Sequence, residues 1–263
     1  MKIFTKESLI YELQAIGARG WIPSVRGEND GAVGNTLEDL LGIDENNLPI
    51  PNASEWELKT QRIGSTGRIT LTHSEPSPRA FGFVSQLLLP GYGWPHQKAG
   101  STYPASEMSF RQSISCDKRT DRGFTYLLDY TDRKIVVSFD PETVDARHTT
   151  WVESLKARGN YHELTTQPYW GFDDLAAKLR DKLHNCFFVE VERRRVNGLE
   201  EFFYRRARKL ASFSFDKFLE VAKTGGVIID FDARSGHNHG TKFRVPMSRL
   251  PDLYAETEVV LDL

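Results

Sequence analysis

Glu57, Leu58 and Lys59 stand in the stretch PIPNASEWELKTQR, Pro49 to Arg62, as an acid, an apolar residue and a base. Residues two apart on a strand point to the same face, so Glu57 and Lys59 converge while Leu58 turns the other way, into a core. Such a pair suits phosphodiester hydrolysis, in which two or three carboxylates hold magnesium and a lysine stands near the attacking water or the scissile phosphate. A single E-x-K triplet arises by chance in most chains of this size, so the neighbouring acids carry the argument. Glu38, Asn52, Glu57 and Lys59 are separated by fourteen, five and two residues. Asn52 is an amide where a carboxylate is expected; its oxygen can ligate magnesium but brings no charge. Glu55 is the substitute acid, because an extended Asn52–Glu57 segment puts Glu55, Glu57 and Lys59 on one face. Asp44 and Glu45 in the preceding loop are weaker substitutes.

A second constellation lies in GHNHG, with His237, Asn238 and His239 after an apolar strand. Two histidines at i, i+2 can ligate a metal, but no cysteine or third histidine stands near them in sequence, which argues against zinc. A hydrogen-bonded structural loop is the plain alternative. Arg234, Lys242 and Arg244 flank that loop, and Arg62 and Arg68 flank the glycines after the E-x-K strand. Together they put positive charge on both sides of a DNA-sized cleft, where phosphate contacts position a duplex without reading it. The run from Glu192 to Lys209 is densely basic, with Phe202, Phe203 and Tyr204 interleaved. It reads equally as a phosphate-binding face or as a solvated surface paired with Glu200 and Glu201.

The elements that must position these residues are legible from periodicity. TKESLIYELQAIGARG predicts a helix capped by Thr5, with Leu9, Leu13 and Ile16 inward. GNTLEDLLGI predicts a short helix capped by Asn35 or Thr36 and stopped by Gly42, placing Glu38 beside Leu37 and Leu41. EWELKTQRI and GRITLTH flank Gly64 and Gly67 and predict two strands joined by a tight turn, with His73 ending the second. Pro76 to Pro104 is rich in proline, glycine and aromatics and predicts a long surface loop or an inter-lobe crossing. GFTYLLDYTDRKIVVSFD predicts a hairpin turning at Thr131 and Asp132. GFDDLAAKLRDKLHN predicts an amphipathic helix, CFFVEVERRRVNGLEEFFYRRARKL a strand pair about Asn197-Gly198, and SFDKFLEVAKTGG a capped helix. VIIDFDARSGHNHGTKFRVPM predicts a buried strand, a polar loop and another strand.

With 263 residues, 39% hydrophobic and 27% charged, the composition is that of a globular chain long enough for one large domain or two packed lobes. The formal net charge of −2 gives no overall attraction to a polyanion. No run approaches the roughly eighteen apolar residues of a membrane span, and MKIFTKESLI lacks a signal peptide's apolar core, so a cytoplasmic protein is expected. Cys116 and Cys186 lack metal-site spacing and are expected to be reduced packing residues.

The segments GARGWIPSVRG, GNTLEDLLGIDENNLPIPN, EWELKTQR and IIDFDARSGHNHGTKFRV, between about Gly17 and Val245, resemble the PD-(D/E)xK restriction endonucleases of the MvaI/BcnI type. The mismatch-repair nicking enzyme MutH is a more distant relation. The resemblance implies an α/β fold: a mixed central β-sheet flanked by helices, built from 1–75 and 170–263, with a DNA-recognition lobe at 76–169 and DNA between the lobes. It makes Glu57 a metal ligand, Lys59 the residue that orients or deprotonates water, and Glu38 the supporting helix acid. Asn52 falls where the family has its metal-binding aspartate, with Glu55 as the alternative ligand. Three explanations compete for Asn52: an engineered replacement, a natural variant, or a shifted alignment; a natural variant is favoured because nothing nearby is disturbed. His237, Asn238 and His239 become base-reading residues, with His73 as a counterpart. The implied function is Mg2+-dependent, sequence-specific cleavage of double-stranded DNA at a short, nearly palindromic site, by a monomer that cuts one strand at a time, as part of a restriction–modification pair with a DNA methyltransferase encoded nearby. The alternatives are a partner-dependent MutH-like nicking endonuclease and a DNA-binding protein silenced at Asn52. A glycosidase or protease built on Glu38 and Glu57 leaves the lysine without a role.

Overall fold

The computed structural model describes residues 4–26, 31–43, 56–64 and 67–263. Its helices are α1 (Lys6–Ala18), α2 (Ala32–Leu41), α3 (Leu89–Tyr92), α4 (Thr149–Ala157), α5 (Phe172–Leu183) and α6 (Phe215–Lys223). The strands are β1 (Ile22–Pro23), β2 (Glu57–Arg62), β3 (Arg68–His73), β4 (Trp94–Pro95), β5 (Met108–Ile114), β6 (Phe124–Asp129), β7 (Lys134–Phe139), β8 (Tyr169–Gly171), β9 (Asn185–Val196), β10 (Leu199–Phe213), β11 (Ile228–Arg234), β12 (His237–Asn238), β13 (Lys242–Pro246) and β14 (Tyr254–Asp262). The chain clusters into two compact units, 1–69 with 177–217 and 246–263, and 70–176 with 218–245.

In the first unit a mixed sheet runs β1-β10-β9-β2, with β14 also on β10. β2 lies parallel to β9, and the register sets Glu57 beside Cys186 and Lys59 beside Phe188. The β9–β10 pair turns at Asn197 and Gly198, both at positive φ (51° and 84°). An Asn-Gly dipeptide supplies that backbone more readily than other residues, and it fixes the hairpin register. On one face of the sheet Leu58, Phe187, Val189, Phe202 and Tyr204 pack against Leu9, Leu13 and Ile16 of α1 and Val33, Leu37 and Leu41 of α2. Thr5 caps α1 as expected: its hydroxyl accepts from the Ser8 amide while the Ser8 hydroxyl accepts from the Thr5 amide.

Three local expectations are corrected. α2 starts at Ala32 with Gly31 as cap, so Asn35 and Thr36 lie inside the helix. Ala32 and Val33 are buried, and that burial offsets the ~1 kcal/mol a side-chain cap would add. β2 and β3 do not form a hairpin; they belong to different sheets, β2 against β9 and β3 against β13. The 76–104 segment is no surface loop: it holds a 3-10 turn at Arg79–Phe81 and a π-turn at Val84–Leu88 running into α3, with Phe83, Val84, Leu88 and Tyr92 buried. Gly93 closes it by close approach, since a Cβ there would meet the Leu89 carbonyl oxygen at 2.3 Å.

The second unit holds the sheet β3-β13-β11-β5-β4, with β12 on β11, and the small sheet β6-β7-β8. The hairpin expected at Thr131 and Asp132 is β6–β7. Residues 218–245, grouped with the catalytic core in the sequence reading, cluster here because β11 pairs with β5 from Ile229↔Ile114 to Arg234↔Ser109. Phe110, Phe124, Phe139, Tyr92 and Trp151 form its aromatic core. Among the described residues no helix is long and apolar enough to cross a membrane.

Leu37 is fully buried between α2 and the first sheet. Leu37→Ala is expected to lower unfolding stability by about 2–5 kcal/mol, read as a fall in the urea midpoint of far-UV circular dichroism; an unchanged midpoint would remove Leu37 from the core.

Candidate functional site

β2 carries the site because its alternation separates two environments. Leu58 faces the α1–α2 core, and Glu57 and Lys59 face the other way. Glu57 is 1% exposed. A buried carboxylate keeps its charge only when compensated. Here two ammonium groups meet the same oxygen: Lys59 Nζ hydrogen-bonds to Oε1, and Lys182 Nζ of α5 lies 3.8 Å from it. The second oxygen, Oε2, is buried without a hydrogen-bond partner among the described residues. Burial holds the Lys182 ammonium below the usual lysine range, Glu57 opposes that, and Lys59 adds to it by repulsion.

Two other titratable neighbours of the carboxylate are uncharged. Burial pushes the Cys186 thiol up to about 12 and raises the Tyr254 phenol well above its usual value. Both stay protonated at physiological pH, so neither competes with Glu57 as an anion. Glu38 is half-buried on α2, one turn beyond Gly34, where a Cβ would stand 3.3 Å from Thr60 Oγ1 of β2. That close approach packs α2 against the Leu58 and Thr60 face of β2. Asn52 and Glu55 lie outside the described residues. Lys182 was missed in the sequence because it stands on a distant helix whose pattern announces only Leu175, Leu179 and Leu183.

The basic run from Glu192 to Lys209 is largely paired with acids of β9, β10 and β14. Arg193 meets Glu200 at 2.9 Å, Arg194 meets Glu201 at 2.6 Å, Arg205 meets Glu192, and Arg206 meets Asp262 at 3.0 Å. Arg62 lies 3.9 Å from the buried Glu200. Of the two readings this run allowed, the paired surface is the one observed. Arg68 is exposed at the start of β3.

The second unit collects the histidines. His237 and Asn238 form β12, paired with Arg234 and Ala233 of β11 across a turn containing Gly236 at φ 69°. His237 Nε2 and His239 Nδ1 are 3.3 Å apart. Glu75, which the sequence did not single out, braces this loop: one oxygen accepts from the Thr241 amide at 2.7 Å and the other from the Asn238 side-chain amide at 3.5 Å. His73 lies near it, 3.7 Å from where a Cβ on Gly240 would be. Arg234 pairs with Glu107 at 3.0 Å, Lys242 with Asp232 at 3.8 Å and Arg244 with Asp230 at 2.8 Å. Alternation on β11 buries Phe231 and Ala233 and turns Asp230 and Asp232 outward, so these carboxylates hold Arg244, Lys242 and Arg111 along one sheet face. No group of three histidine, cysteine or acidic residues suited to a metal occurs among the described residues.

Comparison with known proteins matches residues 10–254 to the MvaI/BcnI restriction endonuclease family. The chain belongs to the MvaI/BcnI restriction endonuclease family. The function that follows is that of a type II restriction endonuclease, a site-specific deoxyribonuclease. Among solved structures, restriction endonuclease MvaI in complex with its cognate DNA substrate superposes with a TM-score of 0.77 at 20% identity, covering 98% of this chain and 100% of that one. MvaI in the absence of DNA gives a TM-score of 0.56 at 18% identity, covering 99% and 100%. At such identities the likeness is one of fold, and it bears out the mixed α/β architecture. No curated protein sequence matches the chain.

Cys186 is fully buried beside Glu57, whereas Cys116 is partly exposed. Iodoacetamide on the native MvaI/BcnI-family chain is therefore expected to leave Cys186 unmodified until denaturant is added; mass spectrometry showing native alkylation at Cys186 would contradict this packing.

Proposed function

We propose that this endonuclease hydrolyses double-stranded DNA at a short, nearly palindromic site, with Mg2+ bound at Glu57. The carrying observation is the buried Glu57 carboxylate, with one oxygen engaged by ammonium groups and the other without a hydrogen-bond partner among the described residues. A bare, fully desolvated carboxylate oxygen is costly in a metal-free protein and is what a hard cation takes as a ligand. Glu57 can therefore offer Oε2 to a metal, and we assign Asn52 and Glu55, which lie outside the described residues, as the accompanying ligands. Bound magnesium supplies charge at the scissile phosphate and acidifies the attacking water.

Lys59, hydrogen-bonded to Glu57 Oε1, is fixed on the strand and orients the water. Glu38 supports the site from α2. His237, Asn238 and His239, with His73 beside them, present donors and acceptors to base edges, and the Glu75 brace keeps that loop in one shape. Arg234, Lys242, Arg244, Arg62 and Arg68 contact phosphates; Glu107, Asp232 and Asp230 pair with Arg234, Lys242 and Arg244 in the DNA-free protein. We further assign the enzyme to a monomer acting in the cytoplasm beside a protecting DNA methyltransferase.

Incubation with unmethylated phage DNA should give discrete fragments with Mg2+ and none with EDTA. Glu57→Ala and Lys59→Ala should each slow cutting by at least about a thousandfold while specific binding stays within about tenfold, the pattern of lost transition-state stabilisation. Fragments from Asn52→Asp alone would identify Asn52 as the position that disarms the site. Absence of fragments from both proteins, or cutting unaffected by Glu57→Ala, overturns the proposal.

A further inference from the structure

Two lysines converge on one oxygen of one carboxylate, and charge balance at Glu57 requires only one of them. Lys59, two residues along the strand, takes the hydrogen-bonding position. Lys182 stands off at 3.8 Å and has no hydrogen-bond partner among the described residues. Its place is fixed by packing: the adjacent Leu183 and Leu179, one turn back, are fully buried, so α5 cannot rotate to release the side chain without exposing them. The ammonium is half-buried, and its charge is disfavoured by that burial and by Lys59. Keeping a second cation there costs free energy, because the desolvation of a charge is recovered only through a well-placed anion. Glu57 is already engaged by Lys59, and a metal on Oε2 would make the site still more positive. The missing partner is an anion brought by the substrate.

We infer that Lys182 is a second catalytic lysine, whose ammonium contacts a non-bridging oxygen of the scissile phosphate. This rests on the nuclease reading of Glu57 and Lys59. In the displacement a water oxygen bonds to phosphorus as the bond from phosphorus to a sugar oxygen breaks; one proton leaves the attacking water and one joins the departing oxygen. The phosphoryl oxygens carry more negative charge at the transition state than in the substrate, so a fixed ammonium beside them stabilises the transition state preferentially. Lys59 serves the water and Lys182 the phosphate, a division that one lysine held by Glu57 cannot cover.

The test compares Lys182→Met and Lys182→Arg with the unaltered protein, or with the Asn52→Asp background if only that cuts, on a duplex carrying the site mapped from its fragments. Lys182→Met should slow single-turnover cutting by about a hundredfold to a thousandfold at saturating enzyme, with melting temperature close to the parent and duplex affinity lowered by no more than about tenfold. Lys182→Arg should recover at least about tenfold of that loss, since the charge returns in a longer side chain. A metal-free binding measurement gives a second readout. Replacing the scissile phosphate by a neutral methylphosphonate should weaken binding to the parent by about tenfold, about 1.4 kcal/mol, and should make little difference to Lys182→Met. Cutting by Lys182→Met within about threefold of the parent, an equal methylphosphonate penalty in both proteins, or a rate loss matched by lost melting temperature overturns the inference while leaving the nuclease reading intact. Failure of the parent to cut with magnesium removes both.

Discussion

A carboxylate with almost no access to water must be matched by charges the fold delivers to it, and one face of the first unit is organised around that requirement at Glu57. Removing one partner from such a group costs about 3–5 kcal/mol because the remaining charge is stranded. The requirement reaches outward through three connections. Strand alternation supplies Lys59, the buried leucines of α5 supply Lys182, and the parallel pairing with β9 sets the protonated Cys186 alongside. Leu58, pointing the other way into the α1–α2 core, locks the strand so that none of these can drift.

The outward face of β11 solves a different problem with the same chemistry. Asp230 and Asp232 hold Arg244, Lys242 and Arg111 in defined places, and Glu75 holds the histidine loop. Exposed ion pairs of this kind contribute little to stability, about 0–1 kcal/mol each. Their value lies in restraining long side chains that would otherwise lose rotamer freedom on meeting a ligand. The Glu192–Lys209 hairpin uses its arginines differently, spending most of them on cross-strand acids.

What was legible in the sequence followed short-range rules. The convergence of Glu57 and Lys59 follows from a period of two, the Asn197-Gly198 turn from its need for positive φ, and the Thr5 cap from local hydrogen bonding. What was not legible depended on partners distant in sequence. The pairing of β2 with β9 rather than β3 is decided by tertiary burial, and α2 begins a turn early for the same reason. Between Pro76 and Pro104, prolines and glycines hid the helical turns that bury Phe83 and Leu88. Lys182 carries no signal at all, since a lysine on an amphipathic helix ordinarily faces solvent.

The pairing of Glu57 with Cys186 also orders events in time. During synthesis β2 leaves the ribosome long before β9 exists, and a contact so distant along the chain closes late because the entropy of the intervening loop must first be met. The intervening segment largely forms its own unit and shortens that effective loop as it collapses. Lys182 emerges just ahead of β9. The two lysines and their carboxylate therefore come together only after β9 has been made, and a chain interrupted before that point has no assembled Glu57 cluster.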